Sequence, residues 1–413
     1  MPAPKTLALA GALLSIGLFT SPALVAQSAE VNGWRGPQRD GTPANFTAPA
    51  SWPKVLVKKW QLEVGVGHSS PVVIDDRIYQ FSRQDDKEVL RCIGLNGEVI
   101  WQQSNDAPYE MHNAARGHGK GPKSTPWVDE RHVYTLGIDG IFQCRSAEDG
   151  KLLWQAASSL PQGSPLYGAA TSPLVVDDVC LVHLGKHDTG ALVAFDVGSG
   201  KPLWVWRDDG PAYTSPVVMD FDGQKQIVTQ SQQLCMSLSP DGKLLWKLPF
   251  KTGYDQNSVT PLQYKDLAII SGFRKGATAL RPQLKDGQWQ AEEVWHDSDV
   301  SMYMSSPVIF GDRLFGFSQV NKGQLFCLNS NTEVSIWLGP PRQGDNAALW
   351  VAGKSIVAQV TDGRLLIIDA EGDSYRTRAE YNVSDSPVWA HPALVKDAVL
   401  IKNEDSLTLW SLK

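Results

Sequence analysis

Hydrophobic and polar residues alternate along most of the chain in short runs that are separated by polar turns. The runs Val72–Phe81, Leu174–His183, Val308–Phe317 and Leu394–Lys402 each contain two alternating segments around an Asp-containing turn. A period of two predicts β-strands, and Asp-Asp, Gly-Asp or Lys-Asp at the centre is typical of a hairpin turn. The pattern therefore predicts an all-β protein made of many short strands.

Two landmarks recur together along the chain. The first is a polar turn followed by Trp, at Trp101, Trp154, Trp204, Trp246, Trp295 and Trp337, and their positions differ by 42 to 53 residues. The second is a [Ser/Thr]-Pro pair upstream of each Trp, at Ser70, Thr125, Ser172, Ser215, Thr260 and Ser306. A degenerate copy at Ala348-Leu349 and a last copy at His391-Pro392 complete eight repeat starts. Four antiparallel strands in a repeat of this length are typical of a propeller blade.

The two ends of the chain complement each other. The last repeat start is followed by only three predicted strands, whereas residues 54–64 form an orphan strand with its own Trp60. Pairing this strand with the last blade closes the ring and removes the open sheet edges. We therefore predict an eight-bladed β-propeller closed by pairing the N-terminal strand with the C-terminal blade. Seven blades is the alternative if the divergent copy at 346–376 is not a blade.

The first residues of the chain are typical of a secretory signal peptide. Lys5 precedes an apolar run, Leu7–Phe19, which is too short to span a bilayer, and small residues follow at Ala26 and Ser28. The predicted division is a signal peptide at 1–28, a leader at 29–53 and one propeller domain at 54–413. We expect a periplasmic or secreted protein, without a lipobox cysteine and without a transmembrane segment in the mature chain.

Charge and cysteine content exclude some classes of function. Lys and Arg number 38 against 44 Asp and Glu, so the chain lacks the basic excess of a nucleic-acid-binding protein. The five cysteines form neither CxxC nor CxxCH, which argues against a zinc knuckle or an attached haem. Four of them occupy a strand position that is Ala194 in another repeat, so this position is interpreted as a small, buried packing site.

Residues that precede each repeat start are expected to line the mouth of the central channel, because the connections between blades gather there. They are His68, His118, Lys123, Tyr167, Tyr213, Tyr254, Asp255, Gln256, Asn257, Tyr303, Asp345, Asn346, Trp389 and His391. Mixed polar and aromatic groups at a concave mouth predict a small-molecule site. The competing interpretation is that these side chains hydrogen-bond loop backbones.

Particular chemistry follows from these residue types. The candidate catalytic residues are His118, His391 and Asp255, since an imidazole can take a proton from a substrate hydroxyl near neutral pH. The candidate Ca²⁺ ligands are Asp345 and Asn346, with Asp255 and Asn257 as further oxygen donors. Lys123 is the candidate for holding an anionic group. The remaining candidate ligand-binding residues are His68, Tyr213, Tyr254, Asn257, Tyr303 and Trp389.

The repeats resemble those of the pyrroloquinoline-quinone (PQQ) propellers, the quinoprotein-alcohol-dehydrogenase-like superfamily. The matching motif is best seen as AFDVGSGKPLW at 194–204, and the leader WRGPQRDG at 34–41 is also similar. The resemblance covers roughly residues 34–413. It implies two kinds of function: a dehydrogenase of alcohols or sugars that uses PQQ with Ca²⁺, or a non-enzymatic outer-membrane assembly propeller of the BamB type. The partner would accordingly be a small molecule or a periplasmic or outer-membrane protein.

Overall fold

Each predicted repeat folds into one four-stranded antiparallel sheet, and eight such sheets form the propeller. The structure, a computed structural model, describes residues 1–2 and 32–413. The predicted signal peptide, apart from residues 1 and 2, and the first three leader residues lie outside the described residues. Within the described part of the chain, no helix is both long and apolar enough to cross a membrane.

The strands are numbered in chain order. Blade 1 contains β2 (Val72–Ile74), β3 (Arg77–Gln84), β4 (Lys87–Gly94) and β5 (Val99–Asp106), and blade 2 contains β6 (Trp127–Val128), β7 (His132–Leu136), β8 (Phe142–Ser146) and β9 (Leu152–Gln155). Blade 3 contains β10 (Leu174–Val176), β11 (Val179–Leu184), β12 (Ala191–Asp196) and β13 (Pro202–Trp206), and blade 4 contains β14 (Val217–Phe221), β15 (Gln224–Gln230), β16 (Leu234–Leu238) and β17 (Leu244–Pro249). Blade 5 contains β18 (Leu262–Tyr264), β19 (Leu267–Ser271), β20 (Ala277–Lys285) and β21 (Gln288–Asp297), and blade 6 contains β22 (Val308–Phe310), β23 (Arg313–Ser318), β24 (Gln324–Asn329) and β25 (Ser335–Leu338). Blade 7 contains β26 (Ala347–Ala352), β27 (Ser355–Val360), β28 (Arg364–Asp369) and β29 (Thr377–Asn382), and blade 8 contains β30 (Ala393–Val395), β31 (Ala398–Lys402), β32 (Ser406–Ser411) and the N-terminal strand β1 (Val57–Glu63). Short 3-10 helices lie at Asn113–His118, His187–Thr189, Gly253–Asp255 and Val320–Lys322.

The prediction of eight blades closed by the two chain ends is confirmed. Strand β1 pairs antiparallel with β32, from Val57 opposite Ser411 to Glu63 opposite Ser406. The divergent copy is also a complete blade, since β26 to β29 form their own four-stranded sheet. Closure leaves no sheet without its fourth strand, which is how a ring avoids an open blade.

The repeated Trp lies in the outermost strand and reaches the neighbouring blade. For example, the Trp154 indole donates a hydrogen bond to the Val197 carbonyl at 3.0 Å. The strand register places a small residue opposite this Trp, namely Cys92, Cys144, Ala194 and Cys327 in blades 1, 2, 3 and 6. Blade 4 differs from the sequence alignment, because Ser237 and not Cys235 faces Trp246. All five cysteines are buried and free, as expected for packing residues.

The [Ser/Thr]-Pro pairs have a structural reason, which is a belt of hydrogen bonds around the channel. A hydroxyl oxygen in one blade accepts from the backbone N–H at the equivalent position of the preceding blade. The five bonds of this kind are His391 to Ser70 (2.9 Å), Ser70 to Thr125 (3.1 Å), Thr125 to Ser172 (2.9 Å), Ser172 to Ser215 (2.9 Å) and Thr260 to Ser306 (3.0 Å). The belt therefore links blade 8 through blades 1, 2 and 3 to blade 4, and it links blade 5 to blade 6.

The leader contributes a central element that residues 32–47 form, here called the hub segment. It hydrogen-bonds to every blade of the ring. Its partners in blades 1 to 8 are, in order, Val73, Val128, Ser172, Pro216, Thr260, Pro307, Val351 and Lys396. The hub segment therefore fills the channel and ties the blades together at their inner edges.

Two buried arginines make the hub possible. Arg35 and Arg39 are each only 1% exposed. Arg39 Nη1 donates to the carbonyls of Pro216 at 2.7 Å and Ser172 at 3.2 Å, and Arg35 Nη2 donates to that of Pro307. These carbonyls lie at the free inner edges of the blades, where no strand can satisfy them. Burial lowers the pKa of Arg35 to about 10 and that of Arg39 to about 9, so both stay charged near neutral pH.

The variant Arg39→Met should destabilise the protein by about 3 kcal/mol, because buried carbonyls of two blades lose their donors. Urea unfolding followed by tryptophan fluorescence measures this free energy. Arg116→Met is the matched control, since it removes the same charge from an exposed side chain. Equal unfolding midpoints for the two variants would contradict the role of the hub.

Candidate functional site

A cavity of about 140 Å³ opens at the mouth of the channel, where the connections between blades meet. Its lining contains five Trp or Tyr, three His and one Lys, and it contains neither Asp nor Glu. The lining residues are Trp34, His68, His118, Lys123, Tyr167, Ala170, Tyr213, Ser215, Gln256, Ser258, Tyr303, Met304, Asn346, Trp389 and His391. The site is thus aromatic and basic, with no acidic side chain of its own.

His68 and Lys123 are brought together by two backbone segments that cross closely. The backbone N–H of His68 donates to the Pro122 carbonyl at 2.8 Å. A Cβ atom on Gly121 would lie 2.5 Å from the Val66 carbonyl oxygen, which no real side chain tolerates. Only glycine allows this approach. The crossing therefore fixes the loop that carries Lys123 against the segment that carries His68.

Histidine and tryptophan rings form one wall of the cavity. Trp389 stacks on His68 at 5.9 Å between centroids and meets His118 edge-on at 5.5 Å. Burial, with a further contribution from the Lys123 ammonium, lowers the pKa of His68 to about 3. The same two causes lower the pKa of His118. Both imidazoles are therefore neutral at pH 7, and His118 is in the state needed to accept a proton.

Tyr213 on the opposite wall is oriented by a residue behind it. The Nδ1 atom of His187 lies 2.9 Å from the Pro211 carbonyl and donates to it, which leaves Nε2 as an acceptor. The Tyr213 hydroxyl lies 3.3 Å from that Nε2 and donates to it. Burial raises the pKa of Tyr213 far above its usual value, so the hydroxyl keeps its proton. His187 thus holds a protonated Tyr213 in one orientation.

Two fully buried side-chain atoms of the lining have no hydrogen-bond partner among the described residues. They are the Lys123 Nζ atom and the His391 Nδ1 atom, both buried. Burial lowers the pKa of Lys123 to about 8, which leaves it mostly charged at pH 7. Burial and the nearby Arg35 guanidinium hold the pKa of His391 well below its usual value. Unpaired buried groups are costly, so their presence in a cavity points to a ligand.

The structure brings together eight of the candidate site residues predicted from the sequence. Those that line the cavity are His68, His118, Lys123, Tyr213, Tyr303, Asn346, Trp389 and His391. Four do not line it, namely Tyr254, Asp255, Asn257 and Asp345. The connections between blades therefore form the mouth, and the direction of each loop side chain decides which residues enter the cavity.

Both candidate asparagines bind other protein groups. The Asn257 amide nitrogen donates to the carbonyls of Ser231 and Phe250, each at 2.7 Å. The Asn346 amide oxygen accepts from the Ser305 hydroxyl, which itself accepts from the backbone N–H of Ala347 at 3.1 Å. The latter pair replaces the belt between blades 6 and 7, where the repeat has no Ser or Thr. Loop hydrogen bonds thus occupy the Asn257 amide nitrogen and the Asn346 amide oxygen, while the buried Asn257 amide oxygen has no partner among the described residues.

The candidate acidic residues lie outside the lining of the cavity. Asp255 pairs with Lys251 at 3.6 Å, and Asp345 is exposed. Tyr254, beside Asp255, is 78% exposed and makes no wall. In residues 1–2 and 32–413, no group of three or more His, Cys, Asp or Glu side chains is arranged to hold a metal ion. Of the four candidate oxygen ligands, Asn346 lines the cavity and the other three lie outside its lining.

Trp34 is the aromatic residue of the lining that the sequence reasoning missed. Its indole donates to the Thr260 hydroxyl at 2.9 Å, and its ring packs on His391 at 4.4 Å. Trp34 belongs to the hub segment, which lies outside the repeats and so outside the rule that located the mouth. One sequence signal could have located this segment, namely the pair Arg35 and Arg39. Two charged residues in a Gly- and Pro-rich leader indicate a segment whose guanidinium groups need hydrogen-bond acceptors.

Comparison with known proteins agrees with the repeat analysis. The family model described as outer membrane protein assembly factor BamB, one of the PQQ-repeat families, matches residues 85–338. The match covers more than half of the chain. The chain belongs to this family of PQQ-repeat propellers.

Individual relatives of this PQQ-repeat propeller fall into both functional groups. Methanol dehydrogenase [cytochrome c] subunit 1 of Methylorubrum extorquens is 26% identical over 248 residues, which is 54% of this chain and 38% of the relative. The chain thus spans well under half of that enzyme's length. BamB from Moraxella catarrhalis superposes with a TM-score of 0.62 at 13% identity, over 86% of this chain and 100% of that one. Quinohemoprotein alcohol dehydrogenase from Comamonas testosteroni also superposes with a TM-score of 0.62 at 13% identity, over 91% of this chain and 79% of that one. At these identities the two structures show the fold alone.

The cofactor implied by the family resemblance fits this propeller in part. PQQ is a planar aromatic tricarboxylate, and the stacked rings around Trp389 together with the unpartnered Lys123 suit such a molecule. Calcium prefers several carboxylate or carbonyl oxygens, whereas this lining holds three imidazoles, an ammonium and no carboxylate. The residues fit an aromatic anion and do not fit Ca²⁺.

The variant Gly121→Ala should destabilise this propeller by about 1–3 kcal/mol, because its methyl group forces the two crossing segments apart. Gly117→Ala, in the same loop, is the control, since a Cβ there meets no atom within 4 Å. Chemical denaturation of both variants provides the comparison. If Gly121→Ala proves as stable as Gly117→Ala, the crossing does not fix the site.

Proposed function

We propose that the protein is an exported, periplasmic propeller that binds a small planar aromatic molecule at the mouth of its channel. The observation that carries this proposal is the ring-lined cavity itself, with Trp34 below and Trp389, Tyr167, Tyr213 and Tyr303 around it. Large aromatic faces at a partly desolvated site favour flat ligands. The BamB and dehydrogenase relatives support a periplasmic location.

A quinoprotein-type oxidation of an alcohol or sugar is the reaction class that this site would support. PQQ, when bound, supplies two-electron oxidation chemistry. Among the protein's own groups, the neutral imidazole of His118 is half-exposed and can take the hydroxyl proton of a substrate. His391 is buried and its backbone N–H belongs to the belt, which makes it the less suitable base.

Tryptophan fluorescence titration with PQQ tests the binding proposal. Trp389→Ala should weaken PQQ binding by about 10-fold or more, because a stacking face is lost. Tyr254→Ala is the matched control, since Tyr254 lies in a neighbouring loop, outside the cavity. The proposal fails if the purified protein does not bind PQQ, or if both variants bind it as well as the parent chain.

An assembly scaffold is the second candidate function, and a surface feature supports it. The outermost strands of blades 1 to 3 expose apolar side chains at equivalent positions, namely Val99, Ile100, Leu152, Leu153 and Leu203. Exposed apolar residues on neighbouring free strand edges favour a protein partner.

Photo-crosslinking groups at Leu153 and Leu203 test the scaffold function in the cell envelope. A scaffold should give the same single crosslinked protein from both positions and none from exposed Ser104 on the same rim. Absence of a common product would exclude these blades as a docking surface.

A further inference from the structure

Resting on the proposed function, we propose that the Lys123 Nζ atom binds the negative group of the ligand directly, without a metal ion, and that the ligand is an aromatic carboxylate. The ammonium group, its attachment to the ring, its surroundings and the cavity walls each support this assignment.

The Lys123 ammonium is buried and has no hydrogen-bond partner among the described residues. A buried ammonium without a counter-ion costs several kcal/mol in proteins, so folding alone does not favour it. A ligand carboxylate would supply both the charge and the hydrogen-bond acceptors that are missing. The atom is therefore arranged for a group that comes from outside the chain.

The backbone on both sides of Lys123 is held in place. Pro122 accepts backbone hydrogen bonds from His68 and Ser69, at 2.8 and 3.0 Å. Thr125 donates its backbone N–H to the Ser172 hydroxyl at 2.9 Å. With both flanks attached to the ring, the ammonium remains at the cavity and is preorganised for an anion.

Among the described residues, no Asp or Glu lines the cavity, so the lining provides no competing anion. Asp255, one of the predicted acidic residues, lies outside the lining and pairs with Lys251. His68 and His118 face Lys123 and are neutral, so they serve as hydrogen-bonding groups for further ligand oxygens. Lys402, behind His68, donates to three backbone carbonyls and is not part of the lining.

The walls restrict the rest of the ligand. Aromatic rings line the same cavity as the ammonium, and the His118 ring centroid lies 5.9 Å from that of Tyr167 and 5.5 Å from that of Trp389. Flat conjugated rings gain from such faces, whereas a small inorganic anion does not. A carboxylate attached to an aromatic ring satisfies both the ammonium and the walls.

Calorimetric titration with PQQ and with its uncharged trimethyl ester, both in EDTA, separates charge from shape. Lys123→Met should weaken PQQ binding by about 10- to 100-fold and leave ester binding unchanged, because only the acid has a charge-assisted bond to lose. Lys123→Arg should retain most of the affinity. Lys123→Met should also melt at a higher temperature than the parent chain, since it removes an unpaired buried charge.

The pH dependence gives an independent readout. With the pKa of Lys123 at about 8, PQQ affinity should be constant near pH 7 and fall about tenfold per unit above pH 8 as the ammonium loses its proton. Two other basic groups titrate near this range, since burial lowers the pKa of Lys402 to about 8 and that of Arg39 to about 9. The variant Lys123→Arg retains Lys402, but its guanidinium stays charged in this range. Loss of the pH dependence in this variant would therefore assign the fall in PQQ affinity to Lys123.

The outcomes distinguish the two proposals. If neither PQQ nor the ester binds, the proposed function fails. Equal affinity for the acid and the ester, or PQQ binding that requires added Ca²⁺, would overturn the direct role of Lys123 while leaving aromatic binding intact. Preferential binding of the acid in EDTA, lost in Lys123→Met, supports both.

Discussion

The free inner edges of the blades set the main constraint on this molecule. Eight first strands converge on one axis, and their axis-facing carbonyls cannot pair with another strand. Arg35 and Arg39 provide donors to several of these carbonyls at once, which few other side chains could do from a central position. Because the same segment carries Trp34, satisfying the backbone also builds one surface of the candidate site. Ring geometry and ligand cavity therefore depend on one short stretch of chain.

The ring could be predicted from the sequence because its information is local and repeated. Blades 1 to 6 each have their own Trp and their own [Ser/Thr]-Pro start, and blades 7 and 8 have variants of that start, so eight weak signals support one another. The same topology placed His118, Lys123, Trp389 and the other mouth residues at one end of the channel. Even the divergent seventh blade conforms, with Ser305 and Asn346 replacing the missing hydroxyl.

Other features depended on local geometry that no repeat encodes. Asp255 and Asn257 stand in a loop at the correct end, yet a 3-10 turn with Tyr254 at φ 61° directs their side chains elsewhere. Cys235 was matched to the wrong position. The residue opposite Trp246 is Ser237, two residues further on, and both of these side chains donate hydrogen bonds to the Gln226 amide oxygen. Trp34 lies outside the repeats, so no alignment of blades could include it.

The position of the hub segment in the chain also affects how the molecule folds. Hairpins within a blade join neighbouring residues, but Arg39 meets partners 133 and 177 residues away and Arg35 meets one 272 residues away. Contacts of such long sequence separation form slowly, because the chain must lose much entropy before they stabilise anything. Until β32 is available to β1, a partly assembled ring carries unpaired strand edges that another chain can join. The residues that centre the finished propeller thus also make its last folding steps the ones most exposed to aggregation.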